Sequence, residues 1–283
     1  MGLEAAPFCV VEDFCLVTSM EILLLYTCGF VFDKIYSTIN KTEEQNMIYV
    51  MADIHGCYEE YKKLLEKINF CDEDELYVLG DVLDRGPEPI RVLQDMMLRP
   101  NVYPILGNHE YMALSVLQKL NVEITEENCE THLSDEDILS VLNWQMDGGK
   151  VTLDAFQKLS REEKEDVLDY LQEFSLYEEI AVNGKLYVLV HAGLNAFQKG
   201  KELDDYDLQD LIFHRADYTK NYFENEKIFL VTGHTPTFSI REDKIPLVYE
   251  GNGHIAIDCG CCYGKKLAVY CLNNGKAEYV EKL

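Results

Sequence analysis

The chain has 283 residues, of which 47% are hydrophobic and 27% charged, a balance typical of a soluble globular protein. Lys and Arg number 25 against 51 Asp and Glu, which gives a formal net charge of −26. Binding to nucleic acids or to anionic membranes requires a surplus of cationic residues on the protein, so we expect neither as a partner. A phosphate-bearing substrate must therefore be held by a few local positive groups.

The ten cysteines lack the regular spacing of a small secreted disulfide scaffold, and no basic leader with a cleavage site opens the chain. We therefore expect reduced thiols in a cytoplasmic protein. The most hydrophobic stretch, residues 22–32, is about half of the ~20 apolar residues that a membrane span needs. No transmembrane helix is predicted.

Residues 1–46 show little periodicity and end in a polar run at 40–46. The character changes at Met47, because residues 48–52 are apolar and typical of a buried strand. We expect the fold to begin there. Residues 1–46 are then an N-terminal extension that we expect to be dispensable.

A strand followed by a helix occurs three times between residue 47 and about residue 120. The predicted pairs are strand 48–53 with helix 57–69, strand 76–80 with helix 88–99, and strand 102–106 with helix 109–120. This alternation predicts βαβ units and a largely parallel sheet. In such sheets ligands bind beyond the carboxyl ends of the strands.

Residues 121–178 carry 16 acidic and 4 basic residues, and the segment is predicted to be an inserted helical cap with a solvated acidic face. Strand-like runs follow it and suit a second sheet: 177–182, 185–190, 228–231, 255–257, 267–272 and 277–280. The predicted fold class is therefore α/β, a sandwich of two sheets flanked by helices.

Side chains that bind metals well follow the ends of several predicted strands: Asp53, His55, Asp81, Asn108, His191 and His234. Imidazole, carboxylate and amide ligands together suit manganese, iron or zinc rather than calcium. Asp81 could give one oxygen to each of two ions. A lone Asp or His after a strand is usually a turn residue, but six at strand ends predict a metal centre.

These residues lie in five motifs that resemble, in order, those of the calcineurin-like metallophosphoesterases. The motifs are Asp53-Ile54-His55-Gly56, Gly80-Asp81-Val82-Leu83-Asp84-Arg85-Gly86, Gly107-Asn108-His109-Glu110, His191-Ala192-Gly193 and Gly233-His234-Thr235-Pro236. The Asp-Arg-Gly and Asn-His-Glu forms resemble the bacterial PPP-type serine/threonine phosphoprotein phosphatases. The resemblance implies a four-layer metallophosphoesterase fold in a catalytic domain at 47–283.

The resemblance also implies a role for each metal ligand. Two divalent ions are implied, expected to be Mn²⁺ with iron or zinc as alternatives. The first ion would be held by Asp53, His55 and Asp81. The second would be held by the bridging Asp81 with Asn108, His191 and His234.

Four further residues are assigned to the reaction by the same resemblance. His109 would protonate the leaving oxygen, with Asp84 as its orienting carboxylate. The physical reason is that a departing alkoxide needs a proton, which an imidazole beside a carboxylate can supply near neutral pH. Arg85 suits a bidentate phosphate clamp, and Arg215 resembles the second phosphate-binding arginine of the family.

The implied function is dephosphorylation of phosphoserine or phosphothreonine in proteins, by direct attack of a hydroxide that bridges the ions. An alternative is symmetrical hydrolysis of dinucleoside polyphosphates such as diadenosine tetraphosphate. Relatives with that activity share Asp-x-His-Gly and Gly-Asn-His but tend to have Ala-Arg-Gly and Asn-His-Asp. A third alternative, from another class, is an inactive relative that binds phosphopeptides, although the complete set of ligands argues against it.

Overall fold

The computed structural model of the protein describes residues 46–123, 125 and 133–283. Two five-stranded sheets with helices on their outer faces form an α/β sandwich, which confirms the predicted fold class. Apart from Asn46, the N-terminal extension lies outside the described residues, so its dispensability stays a prediction.

The first sheet has the order β10-β9-β1-β2-β3. Its strands are β1 (Ile48–Met51), β2 (Glu75–Leu79), β3 (Val102–Ile105), β9 (Lys266–Cys271) and β10 (Lys276–Glu281). The three N-terminal strands are parallel, as predicted, and β9 pairs antiparallel with the free side of β1. The expectation that the C-terminal hairpin joins the second sheet is therefore wrong. Strand pairing between the two ends of a chain leaves no local sequence pattern.

The helices that connect the parallel strands are α1 (Tyr58–Lys67), α2 (Pro89–Met97) and α3 (Asn108–Leu120). Helix α2 begins at Pro89, whose fixed φ and missing N–H suit the first helical turn. Helix α3 begins at Asn108, directly after the third strand, so its first turn lies at the carboxyl edge of the sheet.

The second sheet has the order β4-β5-β6-β8-β7, with β5, β6 and β8 parallel. Its strands are β4 (Tyr177–Val182), β5 (Lys185–Val190), β6 (Ile228–Thr232), β7 (Tyr249–Gly251) and β8 (His254–Ala256). Asn183 and Gly184 join β4 to β5 with φ of 51° and 73°, the left-handed values that a tight hairpin turn requires. Two short helices, α7 (Leu208–Ile212) and α8 (Thr237–Ile240), lie in its connections.

The predicted cap contains α4 (Asp135–Trp144), α5 (Lys150–Phe156) and α6 (Arg161–Gln172), with a π-helical turn at Gln145–Gly149. Ser134 and Ser160 cap the first and third of these helices through their hydroxyl oxygens. Most of the acidic side chains are exposed, as expected. The cap is nevertheless more than a solvated face, because Trp144 is 1% exposed and belongs to the hydrophobic core.

The two sheets pack face to face through apolar side chains such as Val50, Leu79, Leu189 and Val231. A second cluster packs the helices of the first sheet and the cap against its other face. Within the part of the chain that the structure describes, no helix has both the length and the apolar character to cross a membrane. The sandwich brings the carboxyl ends of parallel strands from both sheets to one edge.

Candidate metal centre and active site

The loops at this edge have an unusual backbone. Among the residues with left-handed φ are Asp53, His55, Asp81, Asp84, Arg85 and His234, with φ between 44° and 69°. Such a conformation costs a residue with a Cβ on the order of 1 kcal/mol or more, and it persists where the surrounding structure imposes it. All six belong to the ten predicted site residues, which marks this edge as a functional site.

Asp81 lies at the centre of the predicted ligands. Its Oδ2 is 3.5 Å from Nε2 of His55, and its Oδ1 is 3.3 Å from Nε2 of His191. The same nitrogen of His191 lies 3.0 Å from Oδ1 of Asn108 and 3.2 Å from Nδ1 of His234. Ligand atoms from both predicted sets therefore converge on one buried carboxylate.

Hydrogen bonds to backbone carbonyls fix which ring nitrogen of His55 and of His191 faces Asp81. Nδ1–H of His55 donates to the carbonyl of Leu83 at 2.8 Å, and Nδ1–H of His191 donates to the carbonyl of Leu79 at 2.6 Å. Each Nε2 is thus unprotonated, and its lone pair faces the cluster. Metal-binding histidines are commonly oriented in this way, with the other ring nitrogen donating to a carbonyl.

The pKa values of the buried carboxylates indicate that the cluster lacks positive charge. Burial, followed by the charges of Asp258 and Asp81, raises the pKa of Asp53 well above its usual range, and burial raises the pKa of Asp258 to about 7. Burial also lowers the pKa of His55 to about 3, so this ring is neutral. Buried carboxylates beside neutral imidazoles fit divalent cations.

The residues present therefore fit the two-ion arrangement implied by the family resemblance. Asp53 accepts the backbone N–H of His234 at 2.9 Å through Oδ2, so the loops of both ligand sets are joined directly. One ion would be held by Asp53, His55 and Asp81, and the other by Asp81, Asn108, His191 and His234. The ligand roles of these residues stay predictions.

His109 and Asp84 form a buried pair. Nδ1–H of His109 donates to Oδ2 of Asp84 at 2.6 Å, and the same carboxylate accepts hydrogen bonds from Nε1–H of Trp144 and the hydroxyl of Thr152. Burial opposes protonation of His109, but the charge of Asp81 and the hydrogen bond that His109 donates to Asp84 outweigh it and raise its pKa to about 9. The predicted acid is thus placed and polarised for proton transfer.

The guanidinium of Arg85 spans the mouth of the cluster. It donates to Nε2 of His55 at 2.9 Å and to Nε2 of His109 at 2.8 Å, and it pairs with Asp147 of the cap at 3.0 Å. Only an unprotonated Nε2 can accept the bond from Arg85, so protonation of His109 breaks this one contact, and the ion pair of Arg85 with Asp147 remains. Gly148 is needed beside it, because a Cβ there would lie 2.7 Å from Cγ of Arg85.

Glu110 is a residue whose role the sequence analysis missed. Its buried carboxylate accepts the backbone N–H groups of Asp81, Val82 and Leu83 at 2.7–2.9 Å, and that of Gly107 at 3.2 Å. It therefore shapes the loop that carries Asp81. The signal that could have found it is a Glu three residues after Gly107, the spacing of a capping box.

The site contains four further residues that were not predicted from the sequence: Asp258, Trp144, Thr152 and Asp147. Asp258 follows β8 and faces the cluster, so its position after a strand was a usable signal. The other three come from the cap, and nothing in their spacing connects them to the strand-end motifs.

Arg215 lies on the side of the second ligand set. Its neighbour Ala216 donates its backbone N–H to the carbonyl of Ala192, the residue after His191, at 3.3 Å. After burial and other charges, the charge of Arg215 contributes to lowering the pKa of His234 to about 3. Arg215 is exposed, and among the described residues its guanidinium has no hydrogen bond or ion pair.

Comparison with protein families agrees with this geometry. The family described as calcineurin-like phosphoesterase matches residues 47–280. The chain belongs to the calcineurin-like phosphoesterase family. Members of this family use divalent metals, in keeping with the candidate ligand clusters around Asp81.

Similar proteins include the symmetrical bis(5'-nucleosyl)-tetraphosphatase of Buchnera aphidicola subsp. Schizaphis graminum, 27% identical over 259 residues that cover 79% of this chain and 93% of that protein. The protein of the same name from Buchnera aphidicola subsp. Acyrthosiphon pisum is 37% identical over 98 residues, 34% of this chain and 36% of that protein. A crystal structure provisionally named a diadenosine tetraphosphatase superposes with a TM-score of 0.59 over 85% of this chain and 95% of that chain. At 18% identity it shows the phosphoesterase fold alone.

Proposed function

We propose that this phosphoesterase cleaves bis(5'-nucleosyl) tetraphosphates symmetrically, giving two nucleoside diphosphates. The observation that carries the proposal is the similarity along 93% of the length of a relative named for this reaction. The sequence motifs alone favoured a phosphoprotein substrate. The comparisons favour the alternative, with the same metal centre serving both.

The two ions would neutralise the phosphate charge and supply an activated water near neutral pH. The other steps depend on side chains of the chain. Arg85 would hold the oxygens of the phosphate under attack, because a guanidinium offers two parallel donors to them. Glu110 holds the backbone of Asp81 in place, and this fixed loop would help to orient the phosphate toward the activated water.

The two candidate substrates differ in how much their leaving groups need a proton from His109. A nucleoside diphosphate leaves as a phosphate whose second pKa is about 6, so it departs at neutral pH with little need of a proton. A serine or threonine alkoxide is far more basic and needs the proton of His109 in the transition state. The buried Asp84–His109 pair is therefore the observation that favours phosphoserine and phosphothreonine proteins as the second candidate.

A substrate panel on Mn²⁺-loaded protein tests the proposal. We expect kcat/KM for diadenosine tetraphosphate to exceed that for phosphoserine and phosphothreonine peptides, with ADP as the nucleotide product. A chelated sample of the same protein serves as the control. Formation of AMP with ATP contradicts symmetrical cleavage, and faster turnover of a phosphopeptide replaces the proposal with the second candidate.

A further inference from the structure

A pocket of about 510 Å³ opens beside the ligand set that contains His191. This volume lies within the range of small-molecule sites, about 300–1,000 Å³. The side chains that matter for its chemistry are Phe197, Lys199, Arg215, Lys220, Asn221 and Tyr222. None of them is a predicted metal ligand, and Arg215 is the predicted second phosphate-binding arginine.

The pocket is attached to the metal centre through the turn after β5. Leu194 lines the pocket and lies three residues after His191. The backbone N–H of Ala216 donates to Ala192, and a Cβ on Gly193 would lie 2.8 Å from the nitrogen of Ala216. Arg215 is therefore held at the boundary between the pocket and the metal centre.

The pocket is locally cationic in a strongly acidic protein. It contains three cationic residues against two acidic ones, whereas the whole chain has a net charge of −26. Lys199 pairs with Glu224 at 2.7 Å and Lys220 pairs with Asp217 at 2.9 Å. Both lysines are exposed, so they can reach an anion at small cost, since exposed ion pairs are weak.

Phe197 forms an aromatic wall of the pocket. The ring of Phe197 is half-buried and meets Tyr222 edge-to-face at 5.1 Å and Phe223 at 6.0 Å. These contacts hold its orientation, so the ring offers a fixed apolar surface. Nucleotide bases stack on aromatic side chains through their flat faces, whatever the identity of the base.

We propose that this pocket binds one nucleoside diphosphate half of a dinucleoside polyphosphate, with phosphates on Arg215 and Lys220 and the base against Phe197. The proposal rests on the function proposed above and adds the place where one end of the substrate lies. Arg215 beside the predicted metal site and Phe197 in the same pocket suit the phosphates and the base of one such half. A phosphopeptide has no flat base to occupy that wall.

The variants Phe197→Ala and Lys220→Glu test the pocket, and the readout is the ratio of kcat/KM for diadenosine tetraphosphate to that for p-nitrophenyl phosphate. The second substrate carries no nucleoside, so damage to the metal centre lowers both values together. We expect each variant to lower the ratio about tenfold, in keeping with the contribution of one stacked base or one phosphate contact. Lys227→Glu makes the same charge change outside the pocket and should leave the ratio within about twofold. An unchanged ratio in both pocket variants overturns the proposal.

Direct titration of ADP into the chelated full-length protein separates this proposal from the proposed function. If the wild type cleaves diadenosine tetraphosphate but the pocket variants keep the ratio, the function stands and the pocket assignment fails. If the wild type does not cleave it, the function fails and the titration decides. ADP affinity that falls about tenfold in Phe197→Ala but not in Lys227→Glu supports the pocket. Equal affinity in both variants, or no ADP binding by the wild type, overturns it, and Phe197→Leu covers the case in which the alanine variant does not fold.

Discussion

Asp84 accepts the Nδ1–H of His109 at 2.6 Å, and neither side chain is exposed to solvent. The two residues come from different motifs, one in the loop after β2 and the other in the first turn of α3. Two further donors, Trp144 and Thr152 of the cap, hold the same carboxylate. The imidazole is thus oriented by contacts from three parts of the chain before any substrate binds.

Asp84→Asn tests the role of this pair, because it removes the charge and nearly keeps the shape. Without the carboxylate, the pKa of His109 falls from about 9, and activity that needs its proton moves to lower pH. We expect kcat on a phosphoserine peptide to fall by roughly 10² and kcat on p-nitrophenyl phosphate to fall much less, since nitrophenolate hardly needs a proton. Measuring kcat against pH for both substrates checks this. Equal losses on the two substrates argue against the acid role of His109.

Asp81→Asn tests the shared ligand. Asp81 lies within 3.5 Å of His55 and His191, one from each predicted ligand set. We expect the variant to lose Mn²⁺ and activity together, measured by elemental analysis and by turnover. Asp95→Asn is the matched control, since Asp95 pairs with Lys62 and Arg99 and is not one of the predicted metal ligands. Two ions retained per chain in the Asp81 variant would rule out the bridging role.

Glu110→Gln tests the anchor of the Asp81 loop. The carboxylate accepts four backbone N–H groups, whereas an amide offers one oxygen and turns its NH₂ toward at least one of these donors. We expect a loss of about 2 kcal/mol in the free energy of unfolding, the cost of buried donors left without a partner. Denaturant titration of the metal-free protein measures it. Glu163→Gln, at an exposed helix start, is the control and should leave the free energy of unfolding nearly unchanged.

Much of the fold could be predicted because its elements have local signatures. The strand and helix alternation placed β1 to β3 and their helices, and Asn183-Gly184 placed the hairpin of β4 and β5. The pairing of β9 with β1 could not be predicted, because it joins residues more than two hundred positions apart. Strand β7, only three residues long, has no periodicity to detect.

The site also contains residues that could be predicted from the sequence and residues that could not. Strand-end motifs predicted the residues that converge on Asp81, because parallel strands present their carboxyl ends at one edge. Trp144 could not be connected with Asp84, since only the folded cap brings the two within 2.7 Å. The burial of Glu110 is also a tertiary effect, and a Glu in a first helical turn is ordinarily exposed.

Trp144→Phe tests whether the cap positions the acid pair. The indole donates 2.7 Å to Oδ2 of Asp84, and Phe keeps the apolar packing but has no donor. We expect kcat on a phosphoserine peptide to fall by roughly 10- to 100-fold, in line with a lost hydrogen bond to a charged group. Thr152→Val removes the other donor to the same carboxylate. Because both act on Asp84, their effects in the double variant should be non-additive, and strictly additive losses would contradict a common positioning role.

His254 links the stability of the fold to pH at a position away from the metal centre. It lies in β8, is 1% exposed, and neither ring nitrogen has a hydrogen-bond partner among the described residues. The rings of Tyr218 and Tyr222 pack on it with centroids 5.1 and 5.0 Å away. Burial lowers its pKa to about 4, although the charge of Asp217 acts in the opposite direction.

The sign of the pH dependence follows from this shift. In the unfolded chain His254 titrates near pH 6.5, so between about pH 6.5 and 4 the unfolded state binds more protons than the folded state. The free energy of unfolding must therefore fall as the pH drops through this window. We expect the wild type to lose about 2 kcal/mol more than His254→Phe between pH 7.5 and 5, by denaturant titration of chelated samples. Every other titrating group is common to the two proteins and cancels in the difference, so equal pH dependence would mean that His254 is already protonated in the folded state or exposed to water.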